Sequence, residues 1–287
     1  MQNKVIIITG ATTGIGRETA LALAATGAKL VLIVRSREKA DALKAEIAKR
    51  HPTTQVHVFL ADLSLLEQVQ RAGAEVAAQF PVIDVLINNA GAIFQTREET
   101  AEGLEMTFAL NHLNYFLLTH LLLPNLRAAA AQYGEARIVN VASTAHWAGK
   151  VNFNDLQSKV KYSGIRMYCN SKLMNVLFTK ELSRRLQGSG VTANSLHPGS
   201  VASEFGTRQE GWWFSKLFSI GKPLMVSEAK GAETSIYLAT APEVKGVTGK
   251  YFARKKIAST SRTAKDADVA ARLWQLSLEL CRLTEWK

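Results

Sequence analysis

Apolar residues arrive along this chain in short continuous runs, separated by longer stretches with helical periodicity. Runs at Lys4–Thr9, Lys29–Val34, Gln55–Leu60, Asp84–Asn88, Arg137–Ala142 and Val191–Leu196 are rich in Val, Ile and Leu, and a last short one lies at Gly249–Phe252. Between them Ile15–Thr26, Arg37–Arg50, Ser64–Gln79, Ile165–Gln187, Ser227–Ala239 and Asp266–Arg282 read as helices. Helical material also fills roughly Glu98 to Ala131. Strands without polar alternation are buried on both faces, and strands that alternate with helices form a parallel sheet. The pattern predicts an α/β fold, a single doubly wound Rossmann domain over residues 1–287 with a parallel sheet of about seven strands. No linker, repeat or low-complexity tract divides it.

One segment departs from the alternation. Phe205–Val226 combines Gly206, Gly211, Gly221 and Pro223 with Phe205, Trp212, Trp213, Phe214, Leu217, Phe218 and Ile220. It follows a strand's C-terminal end, where ligands bind in such sheets, so residues from about 200 to 226 are expected to form a lid over an apolar substrate. A short amphipathic helix packed on the body is the plainer alternative, and the two are compatible.

Composition removes several function classes. Of 287 residues 47% are hydrophobic and 21% charged, and 35 Lys plus Arg against 24 Asp plus Glu give a formal charge of +11. The basic residues are spread along the chain. Their densest patch, Arg254-Lys255-Lys256 with Arg262 and Lys265, carries no aromatic stacking platform, so no nucleic-acid partner is expected. Two cysteines, Cys169 and Cys281, make no disulfide framework and suit a reducing compartment. No signal peptide precedes the strand at Val5, and no apolar run is long enough to span a membrane; a cytoplasmic protein is expected. Docking of the Trp212 segment on a bilayer, helped by Lys216 and Lys222, is a minor alternative. The six histidines show no ligand spacing, so no metal site is expected.

Two motifs carry chemistry. Gly10, Thr12, Thr13, Gly14, Ile15 and Gly16 lie between the first strand and first helix, where glycines let the backbone approach a pyrophosphate at a helix N-terminus. At the end of the second strand the sequence reads Val34-Arg35-Ser36-Arg37, with no acid to hold an adenosine ribose. Arg17 follows the glycine motif. Guanidinium groups there suit a 2′-phosphate, so NADP(H) is expected over NAD(H).

The second motif is Tyr168 and Lys172, four apart on one helix face, with Ser143 ending the strand at Ala142. Carbonyl reduction leaves an alkoxide that must take a proton. A neighbouring ammonium is expected to lower the tyrosine's pKa toward useful acid/base behaviour, while the serine hydroxyl binds the substrate oxygen. His146 and Trp147 either line the substrate pocket or pack the loop.

These pieces together resemble the short-chain dehydrogenase/reductase superfamily: Thr9-Gly10-x3-Gly14-x-Gly16, Asp62-Leu63, Asn88-Asn89-Ala90-Gly91, Asn111, Ser143, Tyr168-x3-Lys172 and Pro198-Gly199, in that order. The resemblance implies that Asp62 and Leu63 lie at the adenine. It puts Asn89, Ala90, Gly91, Pro198, Gly199, Val201 and Ser203 along the nicotinamide half. Lys172 would bind the nicotinamide ribose, and Asn111 would hold a water in a proton relay. Asn111-His112-Leu113, the stretch Tyr168–Phe178, His197-Pro198-Gly199 and the 25-residue step from Ser143 to Tyr168 resemble the retinol dehydrogenase branch more narrowly. That implies a lipophilic alcohol or carbonyl substrate. It also implies a homo-oligomer, dimer or tetramer, paired through the helices near Asn111–Asn125 and Ile165–Gln187. Reduction of a C=C bond, as in protochlorophyllide reductases, and a non-catalytic NADPH-binding role are the alternatives. Ser143 speaks against the first and the intact triad of Ser143, Tyr168 and Lys172 against the second.

Overall fold

The Val/Ile/Leu runs become the middle of one sheet. A computed structural model describes residues 1–199 and 226–286. Its strands are β1 (Val5–Thr9), β2 (Lys29–Val34), β3 (Val56–Leu60), β4 (Val85–Asn88), β5 (Ala136–Val141), β6 (Val191–His197), β7 (Tyr251–Ala253) and β8 (Lys256–Ile257). They lie in the order β3-β2-β1-β4-β5-β6-β7-β8. Every pairing is parallel except β7 with β8. The order reverses between β1 and β4, which places a crevice at the C-terminal ends of those strands.

The eighth strand is the difference from the expected seven. It is two residues long and folds back through Arg254 and Lys255, both with left-handed backbone (φ 51° and 61°). The basic patch that stood out in the sequence is therefore partly a hairpin turn.

Helices cover both faces. Ile6 and Ile8 pack with α1 (Gly14–Ala24), α2 (Arg37–Arg50) and α7 (Glu228–Thr240), whereas Ile7 packs with α3 (Leu66–Gln79), α5 (Asn114–Tyr133), α6 (Gly164–Arg185) and α8 (Ala267–Leu280). This is the period-two alternation of a strand with two buried faces. The helix expected from about Glu98 begins later, as a single turn α4 (Met106–Phe108). Gly103 (φ 75°) turns the chain first, and the Glu105 carboxylate then caps the helix by accepting from Thr107 N (2.9 Å) and Phe108 N (2.7 Å). A π-helical turn, Ala109–Leu113, leads into α5 and carries Asn111.

The middle stretches of α5 and α6 are covered within the one chain. Asn114 through His120, and Cys169 through Thr179, are buried without a break. One side is the sheet. On another lie α8 and the tail, where Trp274 meets Phe116 (ring centroids 5.0 Å) and Trp286 meets Phe116 and His120 (4.7 and 4.9 Å). The chain's own C-terminal segment thus covers Phe116, His120 and Phe178 on these two helices. Among the described residues no helix is long and apolar enough to cross a membrane, and no cluster of metal-ligating side chains occurs.

Candidate active site

The glycine loop is a cradle whose size depends on missing side chains. Gly10 has φ 66°, and a Cβ on it would lie 2.9 Å from the Ala90 backbone. A Cβ on Gly16 would lie 2.3 Å from the Gly10 carbonyl oxygen. Thr13 sits at the N-cap of α1 in extended conformation without a side-chain cap bond, and the first turn holds no acid. The helix N-terminus therefore offers N–H groups and positive dipole to an anion. Thr9 ties this loop to β4: its Oγ1 accepts from Asn89 N (2.8 Å) and Ala90 N (3.0 Å). The Asn89 amide donates to the carbonyls of Thr9 (2.9 Å) and Gly10 (3.2 Å), so this side chain shapes the cradle.

At the adenosine end, Asp62 closes a tight turn, accepting from Ser64 N (3.0 Å) and Ser64 Oγ (2.6 Å). Leu63 is buried beside it. Arg35 projects here, largely exposed, 3.6 Å from Asp62 Oδ2. Ser36 caps α2. Arg17 is held differently from the expectation, paired with Glu18 (2.6 Å) and with Glu46, which also binds Arg50. Two nearby carboxylates outweigh an open position for this guanidinium in the protein alone.

The catalytic types gather at the C-terminal ends of β4 and β5. Lys172 Nζ donates to the Val141 carbonyl at 3.1 Å and lies 5.6 Å from the centroid of the Tyr168 ring. Tyr168 hydrogen-bonds with the Ser143 hydroxyl. Asn111 donates to Ala92 O (2.9 Å) and Ser171 Oγ (3.0 Å) and accepts from Ala92 N (2.9 Å). A Cβ on Gly91 would stand 3.1 Å from Asn111 Oδ1 and 3.5 Å from Lys172 Nζ, so this glycine keeps the floor open between them. Pro198 and Gly199 (φ 100°) follow β6 along the same edge.

The electrostatics differ from the sequence expectation. Burial pushes Tyr168 up to about 12, more than its Ser143 hydrogen bond lowers it. Burial brings Lys172 down to about 7. Desolvation disfavours both charges, and a lysine that is partly neutral at pH 7 stabilises a phenolate weakly. In the protein alone the tyrosine is a protonated phenol.

His146 is buried with both ring nitrogens engaged, which fits loop packing, while Trp147 is exposed. Val201, Ser203, Phe205, Trp212, Trp213 and the lid expected at 200–226, apart from Val226, lie outside the described residues. Sequence reasoning passed over Ser171, which accepts from Asn111 and donates to Tyr168 O (2.8 Å). It also missed the buried ladder Asn88–Asn140–Thr179 joining β4, β5 and α6 (2.9 and 3.0 Å). Polar residues inside apolar runs were the available signal for that ladder, because buried amides demand partners.

Tyr168 lies beside the crevice at the sheet's switch point, and the family profile for short chain dehydrogenase matches residues 4–212: the chain belongs to that family of oxidoreductases. Within it the chain falls in the retinol dehydrogenase branch. It is 44% identical to human retinol dehydrogenase 13 over 285 residues, covering 98% of this chain and 85% of that protein. It is 41% identical to human retinol dehydrogenase 12 over 280 residues, covering 98% and 87%. Among solved structures, an uncharacterised protein from Mycobacterium paratuberculosis superposes with a TM-score of 0.78 at 34% identity, over 100% of this chain and 96% of that one.

Proposed function

We propose that the protein is an NADP(H)-dependent oxidoreductase that interconverts a lipophilic alcohol and its aldehyde or ketone. The observation that carries this reading is the meeting of Ser143, Tyr168, Lys172 and Asn111 at the mouth of the glycine cradle. The dinucleotide fits the residues present: Gly10, Gly14, Ile15 and Gly16 with the start of α1 would hold its pyrophosphate. Arg35 would meet the 2′-phosphate, joined by Arg17 once Glu46 is released, with Asp62 and Leu63 at the adenine. When bound, the nicotinamide supplies the hydride.

The chain's own residues do the rest. Ser143 donates a hydrogen bond to the substrate oxygen, and Tyr168, a protonated phenol at neutral pH, gives its proton to that oxygen as it becomes an alkoxide. Lys172 holds the ribose and Tyr168 in place. Asn111, fixed by Ala92 and Ser171, forms the inner end of the proton relay. The retinol dehydrogenases among the relatives support a lipophilic alcohol or carbonyl compound as substrate.

The test is NADPH oxidation over a panel of aldehydes, ketones and quinones, with Tyr168→Phe as control. Turnover of lipophilic carbonyls that disappears in Tyr168→Phe while NADPH binding persists is expected. Equal turnover by that variant would overturn the assignment of the acid.

A further inference from the structure

The turn that begins at Ser143 is held from two sides by imidazoles the mechanism does not use. Ser143 caps the 3-10 turn Thr144–Ala148, its hydroxyl oxygen accepting from Ala145 N at 3.2 Å. His146 lies beneath this turn, buried, with Nδ1 2.7 Å from the Ser143 carbonyl oxygen and Nε2 3.3 Å from Ser261 N. An amide N–H only donates, so Nε2 carries the lone pair and the proton sits on Nδ1, donating to Ser143. His197, the last residue of β6, accepts from Thr144 N at 3.3 Å through Nδ1. By the same argument its proton is on Nε2. The turn is pinned to the Ser261 strap by one neutral imidazole and to the end of β6 by another, in opposite tautomers.

We propose that His146 and His197 are positioning residues for the reaction, acting together as a neutral pair that fixes where Ser143 presents its hydroxyl. The proposal rests on the reading of Ser143 and Tyr168 given above. Protonating either ring would set an N–H against an N–H and release the turn. The surroundings work against protonation. Lys180 from α6 and His197 from β6 face His146, while Tyr251 from β7 (ring centroids 4.8 Å) and Trp147 from its own turn (5.5 Å) pack on its ring. His146 and Arg254 of the β7–β8 turn face His197. Burial, the largest cause for both, lowers His146 and brings His197 down to about 4.

Two measurements on the full chain test this. In ¹⁵N NMR of the imidazoles at neutral pH, His146 is expected as the Nδ1–H tautomer and His197 as the Nε2–H tautomer, with His197 still neutral at about pH 5.5. A cationic His197 at that pH, or the reverse tautomers, overturns the proposal. In steady-state kinetics with an aldehyde turned over by the wild type, His197→Leu is expected to lower kcat by about tenfold, the order of one lost hydrogen bond. Its NADPH dissociation constant, read by fluorescence, should be unchanged. His197→Asn keeps an acceptor near the Nδ1 position and does not titrate, so it should recover most of kcat and lose the part of the acid limb expected of His197 near pH 4, leaving only that of His146. His146→Leu should behave as His197→Leu does; the His197 series stands if that variant fails to fold. Wild-type kcat in His197→Leu, or equal losses in His197→Leu and His197→Asn with the acid limb unchanged, refutes the pair. Retained turnover in Tyr168→Phe would instead refute the reading beneath it, and the NMR result would be unaffected.

Discussion

The side-chain nitrogen of Lys172 is bound to the carbonyl of Val141, two residues before Ser143 on the same strand end. One lysine thus joins the helix that carries Tyr168 to the strand that delivers the serine. Its site is almost fully buried and disfavours the ammonium, which lowers its pKa to about 7. A group whose charge is resisted by the fold is held there at a cost in stability, as active-site groups commonly are. Lys172→Met, similar in length and apolar, is expected to raise the melting temperature of the cofactor-free protein by about 2–4 °C. The same substitution should abolish turnover. Differential scanning calorimetry beside an activity assay checks both; a lowered melting temperature would show the lysine to be a net structural support.

Tyr168 sets the direction in which pH acts. With its pKa pushed up to about 12, the phenol stays protonated through the neutral range and is ready to donate to a reduced carbonyl. Alcohol oxidation needs the phenolate, and raising the pH favours it. Oxidation rates should therefore climb from pH 7 to 9, while reduction stays level or falls as Lys172 loses its proton above about 7. Initial rates in both directions across that range decide the matter, and oxidation that declines with rising pH would contradict it.

The fold was legible because apolar runs and periodic stretches report burial directly. Lys29–Val34 and Arg37–Arg50 coincide with the observed elements end to end. Helix onset near Glu98 was misread because helical composition continues through a segment where Gly103 turns the chain and Glu105 caps the helix. A glutamate is a poor cap by statistics, yet here it is buried and caps through both carboxylate oxygens. The gathering of Ser143, Tyr168 and Lys172 could be read from helical spacing and strand ends. The pKa values could not: they depend on how deeply Tyr168 and Lys172 are buried, a property of tertiary packing that local spacing does not contain. The two uses of Arg17, toward Glu46 or toward a phosphate, are likewise a tertiary choice.

Arg35 is the residue on which cofactor preference should turn. It is largely exposed and only loosely paired with Asp62 at 3.6 Å, so little is lost in turning it toward a phosphate. Charge-assisted bonds of guanidinium to phosphate contribute about 1.5–3 kcal/mol, or roughly ten- to hundredfold in binding. Arg35→Ser is expected to raise the Kd for NADPH by that factor and leave the Kd for NADH nearly unchanged. Isothermal titration with both dinucleotides checks this, and equal losses for the two would remove Arg35 from phosphate recognition.

The C-terminal segment bears on assembly. Two subunits pairing through α5 and α6 would need apolar surface there, yet Phe116, His120 and Phe178 already meet Trp274 and Trp286 of the same chain. Ser277 of α8 also hydrogen-bonds His112 at 3.0 Å, so the contact is specific as well as apolar. Displacing it for a partner would expose one aromatic set to bury another, with little net gain in buried area. Light scattering should give the mass of one chain, or of an oligomer whose cross-links avoid α5 and α6. Trp274→Ala, which opens a large cavity against Phe116 and Phe178, should cost about 3–5 kcal/mol and make the protein self-associate. A wild-type dimer cross-linked through α5 and α6 would mean that the C-terminal helix leaves this face in solution.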